Sequence, residues 1–185
     1  MMKSEQGKKL VVWSTYAACL VVLGVGQAVL ENKAEAQRAA AQGYVLSASE
    51  GETLVRPGGN IVIKVDPTKG SAGMAMGTQH LKGGGIPVHR HEQDEILFIQ
   101  EGGGTAVMGE SRQLVEKGTT IFIPKGVWHG VENAASDTHL LWIVTPPGLE
   151  GFFREISGAP GAPPKPMTPE QRNEIARKHG TTFRP

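Results

Sequence analysis

Three histidines and one glutamate in the segment 83–133 are residue types that bind transition metals. His89 and His91 are separated by one residue, Glu95 follows them, and His129 lies further along the chain. Side chains two residues apart in a strand share a face and lie about 6–7 Å apart. His89 and His91 therefore suit neighbouring positions on one ion, and Glu95 and His129 complete a four-residue set. These ligand types suit Fe, Mn, Ni, Co, Cu or Zn, and the sequence does not rank the ions.

Glycine, proline and asparagine recur at fixed intervals around these four residues. Gly83 to Gly102 reads G-x5-H-x-H-x3-E-x6-G, and Gly118 to Asn133 reads G-x5-P-x-G-x2-H-x3-N. A His-x-His pair alone is common by chance, so the metal site is predicted from this wider spacing. The two blocks resemble the paired motifs of the cupin superfamily without a departure, and fifteen residues separate them.

The resemblance implies an all-β fold, a double-stranded β-helix or jelly-roll cupin barrel, with the metal inside. The chain resembles quercetin-dioxygenase-like cupins, in which the glutamate equivalent to Glu95 is thought to detach from the ion or accept a proton. Glu95 is therefore the candidate catalytic residue as well as a candidate ligand. Because many cupins dimerise through sheet edges, the resemblance also implies a possible homodimer. The fold alone does not imply a reaction.

Residues 1–36 are predicted to be a signal peptide. Lysines precede a mostly apolar, uncharged run from Leu10 to Gly26, and Ala34-Glu35-Ala36 offers small residues for cleavage. The alternative is an uncleaved anchor, because Leu10 to Leu30 is long enough to span a bilayer. Both interpretations export the following domain, to the periplasm or out of the cell. The only cysteine, Cys19, lies in this segment, so a cleaved chain would contain no disulfide.

Residues 37–148 are predicted to form the barrel, because short apolar stretches alternate there with glycine-rich turns. In the clearest stretch, Asn60 to Asp66, the side chains of Ile61, Ile63 and Val65 share one face. Further strands are predicted at Leu54–Arg56, Ser71–Leu81, Glu95–Glu101, Thr105–Met108, Gln113–Val115, Thr120–Ile123 and His139–Thr145.

Residues 149–185 are predicted to form a C-terminal capping segment. Leu149 to Ile156 is expected to be a short helix over the barrel, and the proline- and glycine-rich stretch after it is expected to be extended. Thr168 as N-cap, proline at the first helical position and glutamine at the third predict a helix from Pro169 to about Lys178.

The charge balance argues against nucleic-acid binding, because the net charge is +1 and no basic cluster is interleaved with aromatic residues. The expected partner is a small molecule bound at the metal. The favoured function is a metal-dependent dioxygenase acting on a small enolisable or aromatic substrate. The alternatives are a metal-dependent isomerase or lyase that uses Glu95 as base, and a non-enzymatic cupin that binds a ligand or the metal itself.

Several apolar residues are candidates for lining an aromatic-sized pocket, although packing in the core is the commoner role for any one of them. His80 is expected either to face the same cavity or to lie on the surface. The apolar candidates are Met74, Met76, Leu97, Ile99, Phe122, Trp128 and Trp142.

Overall fold

The computed structural model describes residues 43–135, 137–162 and 166–185. Within these ranges the chain forms strands, two α-helices and a single 3-10 turn at Pro67–Lys69. The strands are β1 (Glu52–Arg56), β2 (Gly59–Val65), β3 (Ala75–Leu81), β4 (Gly84–Arg90), β5 (Asp94–Glu101), β6 (Gly103–Met108), β7 (Ser111–Glu116), β8 (Thr120–Ile123), β9 (His129–Ala134), β10 (Thr138–Thr145) and β11 (Thr182–Phe183). The helices are α1 (Leu149–Ile156) and α2 (Pro169–Lys178).

The strands form two antiparallel sheets. The six-stranded sheet has the order β1-β2-β3-β10-β5-β8, and the five-stranded sheet has the order β11-β4-β9-β6-β7. The chain passes from one sheet to the other between β3 and β4, β4 and β5, β5 and β6, β7 and β8, β8 and β9, β9 and β10, and β10 and β11. This exchange of strands between two sheets is the jelly-roll pattern, so the predicted fold class is confirmed.

Alternation along each strand sends one set of side chains into the core. In β5, Leu97 and Ile99 are buried, while Ile96 and Phe98 between them are partly exposed. In β3 the small residue Gly77 lies against the ring of Trp142, where a Cβ atom would overlap the indole. The buried apolar residues form one continuous cluster between the sheets and α1.

Most strands agree with the sequence predictions to within a few residues. The strand predicted from Ser71 begins only at Ala75. Val65, predicted to share the inner face with Ile61 and Ile63, is only half-buried, because the pairing of β2 with β3 shifts register between Ile63 and Val65. The C-terminal strand β11, which pairs with the outer edge of β4, was not predicted.

Both helices occupy the predicted positions. The helix α1 buries Leu149, Phe152, Phe153 and Ile156 against the barrel. In α2 the Thr168 side chain accepts a hydrogen bond from the backbone N–H of Gln171, and the Gln171 side chain accepts one in return from the backbone N–H of Thr168. This reciprocal pair is the capping box that the sequence predicted.

The predicted signal peptide or anchor, residues 1–36, lies outside the described residues. In the part of the chain that is described, neither helix combines the length and the apolar character needed to cross a bilayer.

Candidate metal centre

The structure brings the four predicted ligand residues together in the interior. His89 lies near the end of β4, His91 directly follows β4, Glu95 lies in β5 and His129 begins β9. One ligand atom from each side chain can be chosen so that all lie within 4.8 Å of one another. All four side chains are buried, with the largest exposed fraction, 8%, at His89.

Strand pairing positions the two histidines that come from the five-stranded sheet. His89 lies directly opposite His129 in the β4–β9 pair, and their ring centroids are 4.3 Å apart. Two glycines allow this pair to form. At Gly85 the backbone is left-handed, and a Cβ atom there would collide with the carbonyl oxygen of Val131. Gly130 also packs on the backbone of β4, where a Cβ atom would lie 2.7 Å from the carbonyl oxygen of Ile86.

The turns that carry the two sequence blocks are joined by backbone hydrogen bonds. The N–H of Gly126 donates to the carbonyl oxygen of His91 at 2.7 Å. The N–H of Lys125 donates to the Asp94 carboxylate at 2.8 Å. These contacts fix the His91 turn relative to the strand that begins at His129.

The orientation of each imidazole is set by a backbone carbonyl. The Nδ1 atoms of His89, His91 and His129 lie 2.9, 3.1 and 2.8 Å from the carbonyl oxygens of residues 87, 93 and 127, respectively. A carbonyl oxygen can only accept, so Nδ1 carries the proton in each ring. The Nε2 lone pairs therefore face the interior of the cluster. At metal sites, a hydrogen bond from the other ring nitrogen commonly fixes the ligating histidine in this way.

The arrangement of the donor atoms suits a cation. The Glu95 Oε2 atom lies 3.2 Å from Nε2 of His91 and 3.0 Å from Nε2 of His129. With Nδ1 protonated, these contacts would bring lone pairs against one another in the absence of a proton or metal ion between them. His129 Nε2 is buried and has no well-aligned hydrogen-bond partner in the described ranges. A transition-metal ion bound by three Nε2 atoms and one carboxylate fits these residues.

Burial and neighbouring charges set the protonation of the cluster. Burial and, after it, the charge of His129 together lower the pKa of His89 to about 3. Burial alone would raise the pKa of the Glu95 carboxyl, but its close contacts with the His129 and His91 rings outweigh burial and lower the pKa. His89 is therefore neutral and Glu95 ionised at neutral pH, which are the forms that bind metal.

A small apolar cavity adjoins the cluster. Its volume is about 40 Å³, and Glu95, His89 and His129 form its polar wall. This volume holds a few water molecules or a ligand of a few heavy atoms. The other lining residues are Arg56, Gln79, Ile86, Pro87, Leu97, Trp142, Leu149, Phe152, Phe153 and Phe183.

Two of the apolar residues proposed from the sequence, Leu97 and Trp142, line this cavity. Ile99 is buried in the core away from the cavity, and Trp128 packs beneath the guanidinium of Arg90. Met74 and Phe122 are exposed, so the prediction was wrong for them. The inward face of β3 carries the odd-numbered residues, so Met76 also lies outside the cavity.

His80 does not line the cavity either. Its ring stacks on that of His139 at 4.2 Å, and its Nε2 atom lies 3.4 Å from an Asp137 carboxylate oxygen. The neighbouring residue in β3, Gln79, faces the cavity instead. Sequence reasoning missed Gln79, Arg56 and Phe183, although the pattern of small residues at positions 75 and 77 marks the inner face of β3.

Comparisons with known proteins identify the domain. Residues 78–145 match the Cupin domain family. An uncharacterized protein of Streptomyces coelicolor is 30% identical over 57 residues, a match that spans 31% of this chain and about half, 54%, of that protein.

Solved structures share the fold. An RmlC-like cupin from Shewanella frigidimarina has a TM-score of 0.51 and 15% identity, covering 57% of this chain and 93% of its own. KdgF from a Halomonas species has a TM-score of 0.51 and 15% identity, covering 58% and 96%. The polyketide cyclase RemF from Streptomyces resistomycificus has a TM-score of 0.51 and 17% identity, covering 71% and 92%. At these identities the likeness establishes the fold and no reaction. The chain therefore matches the Cupin domain family over residues 78–145 and shares the fold of these solved structures.

Proposed function

We propose that this protein is a metal-dependent dioxygenase that acts on a small enolisable substrate. The observation that carries the proposal is the convergence of three Nε2 lone pairs and the Glu95 carboxylate on one point in the wall of an apolar cavity. Four protein ligands leave positions for other ligands on a five- or six-coordinate ion. A transition-metal ion bound there would supply Lewis acidity toward a substrate oxygen and redox chemistry toward O₂.

Glu95 is the residue that we expect to move a proton. It lines the cavity, its carboxylate is ionised at neutral pH, and no other described acidic side chain lines the same cavity. A substrate with an acidic C–H or O–H group, once bound beside Glu95, can transfer that proton to the Glu95 carboxylate. The apolar wall formed by Leu97, Trp142 and Phe152 excludes bulk water from the resulting enolate.

The expected overall reaction is balanced without an added reductant. One O₂ molecule is consumed for each substrate molecule, a carbon–carbon bond next to the enolised carbon breaks, and both oxygen atoms appear in the products. The volume of about 40 Å³ favours a substrate of a few heavy atoms over one of flavonol size. The proposed substrate is therefore smaller than the aromatic compounds that the expectation from the sequence included.

Oxygen uptake tests the proposal. The protein is expressed, its metal content is determined, and O₂ consumption is followed with small diketones, keto acids and hydroxy-ketones, using ¹⁸O₂ to locate the label. We expect stoichiometric uptake and two labelled atoms in the products. Glu95→Gln should lower the rate about 100-fold or more, the range typical of a lost general base.

Two results would replace the proposal by its alternatives. Substrate conversion without O₂ uptake, still dependent on Glu95, would establish an isomerase or lyase. Binding without conversion of any compound would establish a binding protein. The second alternative agrees with the buried ligand set equally well, whereas access of Glu95 to the cavity favours an enzyme.

Export remains a proposal from the sequence of residues 1–36. Cell fractionation followed by N-terminal sequencing of the exported protein tests it. A mature N-terminus just after Ala36 would establish cleavage, and an intact N-terminus in the membrane fraction would establish the anchor.

A further inference from the structure

Two arginines near the cavity have no carboxylate partner among the residues the structure describes. The side chains of Arg112, Arg154 and Arg184 form ion pairs with glutamate or aspartate. Arg56 and Arg172 form no such ion pair within the described ranges. Both line a single groove that also includes Pro87 and Thr168. Arg56 lines the metal cavity as well, so it lies where the groove and the cavity meet.

Arg56 is held mainly by apolar and aromatic surroundings. It is the last residue of β1, and its guanidinium carbon lies 5.9 Å from the ring centroid of Phe153. Burial, followed by the positive charge of Arg172, lowers the pKa of Arg56 to about 10. Arg56 therefore stays charged at neutral pH in an environment that disfavours its charge. A half-buried charge of this kind is costly unless a counter-charge accompanies it.

Arg172 adds a second positive charge that is also incompletely satisfied. Its guanidinium lies 4.3 Å from the ring centroid of Phe183, a residue that lines the cavity. Its Nε atom is buried without a hydrogen-bond partner in the described ranges, and Nη2 makes only a long contact of 3.5 Å with Asn173. Placing like charges together without an anion is unfavourable, so the pair is suited to a negatively charged ligand.

Trp142 is a further residue of the cavity wall that carries an unpaired polar group. The residue is 1% exposed and lines the cavity beside the candidate metal ligands. Its indole Nε1–H is buried and has no acceptor among the described residues. Buried indole N–H groups usually have a partner, so this group is an exception within the described ranges.

We infer that the substrate is a small carboxylic acid whose carboxylate pairs with Arg56, while its enolisable carbon or oxygen lies toward the candidate metal ligands. This inference rests on the proposed function for the position of the reacting end, and it adds the class of substrate. The planar guanidinium binds a carboxylate through two parallel hydrogen bonds. Arg172 increases the positive potential of the groove through which the acid enters. The matching substrates are short keto acids and other enolisable acids.

Binding of acids and of their neutral esters tests the inference independently of turnover. Acetoacetate and 2-oxobutanoate are each compared with their methyl esters by calorimetric titration of the metal-loaded protein under nitrogen. The wild type should bind at least one acid about tenfold or more tightly than its ester, the size expected of a charge-assisted pair. Arg56→Met should remove this preference, and Arg56→Lys should restore part of it because only the charge returns.

The control is Arg112→Met, which removes an exposed arginine of β7 that lies outside the cavity. It should keep the full preference for the acid. If Arg56→Met does not fold, the binding of acid and ester is compared in Arg172→Met, a variant in the helix α2. Its preference for the acid should be about threefold smaller than that of the wild type. Retained metal content and an unchanged unfolding midpoint show that a variant is folded.

The outcomes separate this inference from the proposed function. Equal binding of acid and ester by the wild type, binding of neither, or an unchanged preference in Arg56→Met would overturn the role of Arg56. Tight, Arg56-dependent binding of an acid without O₂ uptake would support the acid subsite and overturn the dioxygenase. O₂ uptake with neutral diketones that Arg56→Met does not change would support the dioxygenase and overturn the acid subsite.

Discussion

At the scale of single residues, backbone carbonyls set the orientation of the imidazoles in the candidate metal centre. Each of the three imidazoles donates from Nδ1 to a backbone carbonyl two residues away in sequence. Because the same short stretch of chain supplies both ring and carbonyl, the tautomer and ring direction are fixed locally. The Nε2 atoms thus converge without help from distant side chains, which reduces the ordering cost of binding a metal.

His91→Ala and His129→Ala should each lower the metal affinity at least tenfold, because each removes one of the converging Nε2 atoms. Metal per protein chain is measured after dialysis against a metal buffer. His139→Ala is the matched control, since His139 is exposed and stacks on His80 outside the cluster. Full metal occupancy in both ligand variants would contradict the assignment of the site.

The four candidate ligands could be predicted from the sequence because their spacing is tied to two strands and the turns between them. Arg56, Gln79 and Phe183 could not, because they reach the cavity from separate strands, β1, β3 and β11. Nothing local distinguishes Arg56 from an arginine at a strand end on the surface. Its role depends on the absence of a nearby carboxylate, and that is a property of the tertiary structure.

At the scale of elements, Arg154 joins the helix α1 to the six-stranded sheet through ion pairs. Its guanidinium donates three hydrogen bonds to the Glu52 carboxylate of β1, with distances from 2.6 to 3.0 Å. It also pairs with the fully buried Asp66 that follows β2. Thr68 donates to the same aspartate at 2.7 Å. The network sets the position of α1 and therefore of Phe152 and Phe153, which line the cavity.

Asp66→Asn should lower the free energy of unfolding by about 3 kcal/mol at neutral pH, because it leaves Arg154 without one of its buried partners. Burial tends to raise the pKa of Asp66, but hydrogen bonds from Arg154 and Thr68 outweigh it and hold the pKa below the usual 3.8. The folded-state pKa is depressed, so the stabilisation is complete above 3.8 and is lost as the pH falls through the folded-state value. Urea unfolding of the wild type and the variant from about pH 7 downward measures the difference. A difference that did not shrink in acid would contradict the assignment.

The C-terminal strand β11 closes the cavity beside the candidate metal ligands. Phe183 pairs with His89 across the β11–β4 register, and the two ring centroids are 5.7 Å apart. The backbone N–H of Arg184 donates to the carbonyl oxygen of Val88 at 2.9 Å, which extends the pairing. A segment remote in sequence thus supports the outer side of the first ligand strand.

Phe183→Ala should enlarge the cavity and lower the free energy of unfolding by about 1–2 kcal/mol, less than for a fully buried phenylalanine because Phe183 is half-buried. The enlarged cavity should admit branched or aromatic analogues that the wild type excludes. Urea unfolding and calorimetric titration with such analogues measure the two effects. The control is Leu114→Ala, at an 82% exposed position in β7. It should change the free energy of unfolding by no more than about 0.5 kcal/mol, as is usual for surface substitutions, and it should not admit the larger analogues.

The elements that could be predicted from the sequence are those with a strong periodic pattern or a cap. The helix α2 followed from Thr168, Pro169 and Gln171, and β5 followed from its alternation. The strand β11 has only two residues, Thr182 and Phe183, so no period can be detected in it. It forms because the edge of β4 offers unpaired backbone groups, and this edge is defined only after the barrel has folded.

At the scale of the whole molecule, the candidate ligands come from both sheets. His89 and His129 belong to the five-stranded sheet, Glu95 belongs to the six-stranded sheet, and His91 lies in the turn between them. An ion bound by all four would therefore join the two layers of the barrel. Since an unfolded chain cannot present these ligands together, most of the binding free energy would stabilise the folded state.

Metal should therefore raise the stability of the entire barrel rather than that of one loop. At a free metal concentration one hundred times the dissociation constant, the stabilisation is about 2.7 kcal/mol. For a domain of this size it corresponds to a rise in Tm of about 5–10 °C. Thermal unfolding of chelator-treated protein, with and without each candidate divalent ion, measures the shift. In His91→Ala the rise should be about half as large or less, because the metal affinity falls at least tenfold, whereas His139→Ala should respond as the wild type does. A metal-induced rise of wild-type size in His91→Ala would place the bound ion elsewhere in the molecule.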